Sequence, residues 1–122
     1  YRRKYVHKRK VCLEGRAHIM DVRLLKHHAL KPRTLDEVDW VVCHQANSRI
    51  IDHCIKHLHA DPAKFYKNMD RHGNTSAASI PVALNELAEA GKLTPGQTVA
   101  CVGFGGVLTW GGMLFTYNPL RR

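Results

Sequence analysis

Two short segments thirty positions apart carry the side chains best suited to chemistry. The first is His44-Gln45-Ala46-Asn47. The second is Gly73-Asn74-Thr75-Ser76-Ala77-Ala78-Ser79. Each reads as a strand running through a turn into a helix. That places His44 and Asn74 at strand ends, where ligands sit in α/β proteins. A neutral imidazole and a carboxamide can together hydrogen-bond one developing oxyanion, a device suited to enolate chemistry. His44 could equally serve as a general base, and Asn74 after Gly73 could simply occupy a left-handed turn. Such a site normally needs a nucleophile, and the residues offer no evident one.

The four cysteines, Cys12, Cys43, Cys54 and Cys101, form no C-x-x-C pair. Three lie in apolar stretches and read as reduced, buried thiols of a cytoplasmic protein. His53 and His57 stand one helical turn apart, but no third metal ligand accompanies them. No metal and no cofactor are expected. At about 100° per residue, Arg49, His53 and Lys56 fall on one helix face, opposite an apolar stripe. Such a ridge is either a solvated face or a dock for an acidic partner. Gly103-Phe104-Gly105-Gly106 lacks a P-loop lysine and sits between strands rather than before a helix, so it does not read as a phosphate loop. Glycines there let a backbone amide approach a reacting group closely. Trp110, Phe104 and Phe115 read as core.

These residues need elements to position them. Ala17 to Leu30 has a helical spacing of apolar residues, stopped at Lys31-Pro32. Val38 to Cys43 suits a buried parallel strand. A helix follows over about 47–59, with Ile50, Ile51, Cys54, Ile55 and Leu58 as its stripe. Phe65 to Met69 is a short strand candidate. Thr75 or Ser76 is placed to cap the next helix, which runs to about Ala90 and ends at Gly91. Pro81 should bend that helix or reset its first turn. Val99 to Phe104 and Leu108 to Tyr117 form the last two strands. The order α-β-α-β-α-β-β predicts an α/β layered domain with a mostly parallel sheet.

The bulk numbers bound the function classes. With 122 residues the chain makes at most one domain. A hydrophobic content of 44% fits a packed core rather than a disordered chain. No apolar run is long enough for a membrane span, and no secretory signal is read at the N-terminus. Six of the nine net positive charges lie in residues 1–10, leaving +3 for the rest. The basic character is therefore mostly a head, over residues 1–15, ahead of the domain at 16–122; it is either a solvated end or an arm for nucleic acid or anionic lipid.

Three segments together resemble one family. Asp39-Trp40-Val41-Val42-Cys43-His44-Gln45-Ala46-Asn47-Ser48-Arg49-Ile50-Ile51 resembles the histidine segment of β-ketoacyl-acyl-carrier-protein synthase III. Gly73-Asn74-Thr75-Ser76-Ala77-Ala78-Ser79-Ile80-Pro81 is similar to its asparagine segment. Val102-Gly103-Phe104-Gly105-Gly106-Val107-Leu108-Thr109-Trp110-Gly111 is similar to its C-terminal glycine loop. They occur in the family's order and spacing over roughly residues 34–117.

The resemblance implies a thiolase-like layered fold of duplicated halves, acting as a homodimer that starts fatty-acid synthesis. Acyl-CoA and malonyl-acyl carrier protein would be the substrates, joined by decarboxylative condensation without a cofactor. His44 and Asn74 would stabilise the thioester enolate. Gly105 and Gly106 would belong to the oxyanion loop, Gly106 offering its amide. Ala46, Asn47 and Phe104 would line the pantetheine tunnel. Arg49, with His53 and Lys56, would meet the acidic carrier protein. The family's cysteine nucleophile belongs to an N-terminal half not matched here. Val107 stands where the family usually has glycine, and a β-branched residue resists positive φ. The resemblance also implies that the half-sheet's first strand lies at its centre, between the second and fourth. That strand would fall before residue 16. Either residues 5–13 fill the slot or the sheet is split there, which predicts an incomplete, marginally stable sheet.

Overall fold

A computed structural model describes residues 34–106 and 109–118. The helix expected over 17–30, the basic head at 1–15, Cys12 and Val107 lie outside the described residues.

The local order follows the chain's apolar patterning. Strand β1 is Trp40–Cys43, helix α1 Ser48–His57, strand β2 Phe65–Tyr66 and helix α2 Met69–His72. Helix α3 is Ser79–Glu89, strand β3 Thr98–Phe104 and strand β4 Trp110–Thr116. The candidate strand at 65–69 stops after two residues, because Asn68 starts the turn of α2 instead. Pro81 is the third residue of α3. Its missing N–H falls in the first turn, where that donor has no helical partner, so it does not break the helix.

One sheet runs β2-β1-β3-β4, with the first three strands parallel and β4 antiparallel. The expected central slot does not exist. β1 pairs directly with β3, Trp40 opposite Val99 through to Cys43 opposite Val102. The Asp39 carboxylate accepts from the Thr98 amide at 2.7 Å, and the Asp39 amide donates to the Thr98 carbonyl at 2.9 Å. Those bonds fix the register where both strands begin. The facing edges of β1 and β3 are therefore paired. The instability expected from a split sheet loses its basis.

Both faces are covered. Val41 and Cys43 point to one face and pack with Phe65, Ala100 and Val102 against Ile51, Cys54 and Ile55 of α1. Val42 points to the other and packs with Val99 and Cys101 against Ala83 and Leu87 of α3. This alternation makes three layers from a strand that reads as continuously apolar. Helix α3 ends as Gly91 adopts φ 66°, with Lys92 N donating to the Leu87 carbonyl and Gly91 N to that of Ala88. That pair of bonds is a Schellman end.

Candidate active site

The ends of β1 and β3 lie side by side, and the chain's reactive groups gather there. His44 N donates to the Val102 carbonyl at 2.7 Å, extending the β1–β3 ladder by one step. This brings the His44 ring beside Phe104, with centroids 5.3 Å apart in an edge-on arrangement. The β3–β4 hairpin turns back over the same end, pairing Gly103 with Gly111 and Phe104 with Trp110. The approach to α3 supplies the third wall. Together they line an open cavity of about 450 Å³, bordered by His44, Ser76, Ala77, Ser79, Ile80 and residues 103–105 and 109–111.

His44 is held on both sides of its Cα. Its Nδ1 lies 2.6 Å from the Ser79 hydroxyl. The same hydroxyl accepts from the Gln45 amide at 3.2 Å. Gln45 itself is fully buried. Its carboxamide donates to the Cys43 and Tyr66 carbonyls and accepts from the Asn68 amide. It thus bridges the ends of β1 and β2 and stiffens the peptide next to His44. No role for Gln45 or Ser79 is read from the sequence; their one signal is their place in the two motifs, directly after His44 and at the end of Gly73–Ser79.

Asn74 does not line the cavity but sits in the exposed turn that leads to it. Its Oδ1 accepts from the Ser76 amide at 2.9 Å. Only the oxygen can accept, so the NH₂ group is the end left for a ligand. The cap expected of Thr75 or Ser76 is not made: α3 starts after Ala78 with no side-chain cap, and the Asn74 bond closes a local turn ahead of it. Thr75 makes no side-chain cap bond, and a 3-10 turn, Ser76–Ala78, precedes α3. Two residues of this segment have positive φ, Gly73 at 65° and Ser76 at 55°. For Ser76 that conformation is uncommon and costs free energy.

The remaining expected residues divide. Phe104 and Gly105 line the cavity, whereas Gly106, Ala46 and Asn47 do not. The Gly105 amide donates to the Thr109 carbonyl at 2.9 Å, so it is not available to an oxyanion. The Gly106 carbonyl accepts from the Thr109 hydroxyl at 2.9 Å and from the Thr109 amide at 3.3 Å. Asn47 caps α1 by accepting from the Arg49 amide. Arg49, His53 and Lys56 are all exposed on α1, and the His53 and His57 rings stack at 6.3 Å. No cluster able to hold a metal occurs among the described residues.

None of the described cysteines resembles a nucleophile. Cys43, Cys54 and Cys101 are buried. Burial pushes the thiols of Cys43 and Cys54 up, and that of Cys101 to about 11. Thiols in such surroundings stay protonated and inert.

Comparison with known proteins shows the family and the fold. Residues 29–117 match the family described as 3-oxoacyl-[acyl-carrier-protein (ACP)] synthase III C terminal. The chain belongs to the β-ketoacyl-[acyl-carrier-protein] synthase III family, through that C-terminal region. It is 49% identical over 84 residues to the β-ketoacyl-[acyl-carrier-protein] synthase III of Clostridium botulinum, covering 69% of this chain and 26% of the relative. The chain thus spans about a quarter of the length of the curated relatives it matches. The crystal structure of the Thermus thermophilus synthase III superposes with a TM-score of 0.75 at 37% identity, over 84% of this chain and 32% of that one. The Aquifex aeolicus synthase III gives 0.69 at 37% identity, over 85% and 36%. The family is one of acyltransferases, and its thiolase-like α/β fold is the one found here. No described helix is long and apolar enough to cross a membrane.

Proposed function

We propose that this chain supplies the enolate-stabilising part of a β-ketoacyl-acyl-carrier-protein synthase III site. In this reading malonyl-carrier protein binds with its thioester oxygen facing His44 and the Asn74 amine. Loss of carbon dioxide leaves its bonding electrons on the α-carbon, and the negative charge spreads to that oxygen. Hydrogen bonds from the two side chains then stabilise the enolate. Its carbon attacks an acyl thioester, forming the new C–C bond and releasing the acyl-carrying thiolate. That thiolate belongs to a cysteine outside the described residues. Acyl-CoA is the acyl source, and the thioester chemistry calls for no cofactor. The exposed Arg49, His53 and Lys56 suit an acidic carrier protein, and a homodimer with complete halves is the working form, in the cytoplasm.

The observation that carries the reading is the placement of His44. It stands at the end of a parallel strand, its ring in a cavity shared with Phe104 and the start of α3. The test is a graft of residues 34–117 in place of the matching segment of the Clostridium botulinum relative. The graft should condense acyl-CoA with malonyl-carrier protein, and the 122-residue chain alone should not. His44→Ala or Asn74→Ala in the graft should each lower malonyl decarboxylation by about 10²–10³-fold, the usual effect of losing one oxyanion donor. Full decarboxylation by a folded His44→Ala graft would reject the assignment.

A further inference from the structure

We infer that Ser79 is a positioning residue that fixes the protonation pattern of the His44 ring. It does so by donating its hydroxyl proton to Nδ1, which leaves Nε2–H directed at the cavity. The inference rests on the role proposed for His44, but it concerns a property of the unliganded chain.

The argument is a count of donors and acceptors. A serine hydroxyl has one proton and two lone pairs. The Gln45 amide can only donate, so it occupies one lone pair of Ser79 Oγ. The only other group bonded to that oxygen among the described residues is His44 Nδ1, at 2.6 Å. Either ring nitrogen could carry the proton of a neutral imidazole. If Nδ1 carried it, the Ser79 oxygen would accept twice and its own proton would have no acceptor. Ser79 is 2% exposed, so water does not offer one readily, and a buried donor without a partner is costly. If Nδ1 is bare, the Ser79 hydroxyl donates to it and accepts from the Gln45 amide, and both bonds are satisfied. The second arrangement places the ring proton on Nε2.

The consequence is functional. With Nε2–H toward the cavity, the ring offers a hydrogen-bond donor, as an enolate oxygen needs. The opposite tautomer would present a lone pair and repel it. A serine beside an imidazole can also suggest a nucleophile and its base. Here the hydroxyl is almost fully buried and spent on two partners at the start of α3, which favours the positioning role.

The test uses long-range proton–nitrogen NMR spectra of the ¹⁵N-labelled full chain at about pH 8, where ordinary imidazoles are neutral. The His44 signals are assigned by their loss in His44→Gln. The wild-type ring should show a bare Nδ1 and a protonated Nε2. Ser79→Ala should shift the ring toward a mixture of tautomers, and Ser79→Thr, which keeps the hydroxyl, should restore the Nε2–H form. Should the alanine variant fail to fold, Ser79→Cys carries the same test, because the thiol is a weaker donor and the Nε2–H fraction should fall. A wild-type ring protonated on Nδ1 would overturn the inference. So would a Ser79→Ala or Ser79→Cys ring unchanged from wild type, or labelling of Ser79 by a fluorophosphonate probe. None of these readings requires turnover. A chain with the stated tautomer but a graft that does not decarboxylate would retain this inference and lose the proposed function.

Discussion

Glu86 Oε1 lies 2.6 Å from His72 Nε2, joining the residue two before Asn74 to the middle of α3. The other carboxylate oxygen accepts from Asn68, from Arg71 and from the Tyr66 hydroxyl. One acidic side chain thus gathers β2, α2 and α3 and holds the base of the turn that presents Asn74.

That cluster predicts an acid limb of stability. The bond from His72, then that from Asn68, lowers the Glu86 carboxyl to about 2. A depressed folded-state value means that the carboxylate contributes stability above its unfolded pKa of about 4.3. The contribution fades as the pH falls from there toward 2. Thermal unfolding of the wild type and Glu86→Gln should therefore differ most near neutral pH and converge near pH 2. A constant gap between pH 7 and 2.5 would contradict the assignment.

Gly73 and Gly91 make a matched pair. Both have positive φ, and a Cβ at either would meet nothing within 4 Å. Gly73, however, has ψ −157°, a region nearly reserved for glycine. Gly73→Ala should cost about 1–3 kcal/mol and Gly91→Ala about 1–2 kcal/mol, both read by urea denaturation. Only Gly73→Ala should move the Ser76 amide resonance, because only that turn carries the bond to Asn74.

Leu87 is fully buried under the sheet, whereas Met113 on β4 is 54% exposed. Leu87→Ala should lose about 2–5 kcal/mol through lost burial and the cavity left behind. Met113→Ala should stay within about 0.5 kcal/mol of wild type. Equal losses in chemical denaturation would mean that β4 is covered in solution.

The three described thiols should resist alkylation. Peptide mapping after iodoacetamide at about pH 8 should find Cys43, Cys54 and Cys101 unmodified in native protein and fully modified after unfolding. Rapid native labelling of any of them would reopen the search for a nucleophile among them.

Much of this site was legible because short motifs carry their own local geometry. His44 follows an apolar run that can only be an inner strand, and the Gly73-Asn74 step announces a turn. The helix stripe of Ile51, Cys54 and Ile55 was equally plain from its spacing. Strand order was legible only through the resemblance, and the direct pairing of the second and fourth strands of the half-sheet was not. Apolar runs such as Val41-Val42 and Val99-Ala100-Cys101 identify buried strands without naming their neighbours, so the direct β1–β3 pairing had to come from three dimensions. The role of Asn74 as the acceptor for Ser76, ahead of Thr75, was likewise hidden. Asparagine, threonine and serine can each accept from a nearby backbone amide, and only the backbone decides among them. That the Gly105 amide is already spent was also hidden, because its acceptor, the Thr109 carbonyl, lies across a hairpin whose tightness the sequence does not state.

The pairing of Asp39 with Thr98 spans 59 residues. It therefore also governs the order in which the domain can assemble. Loop closure over such a distance is slow compared with forming a helix. Helices α1 and α3 can appear early, but β1 has no partner on its β3 side until β3 is available. The hairpin that walls the cavity comes later still along the chain. A nascent chain halted before Thr98 would leave one side of β1 unpaired and His44 facing solvent. Ligand-binding competence in this domain should arrive late and at once, with the closure of the β1–β3 pairing.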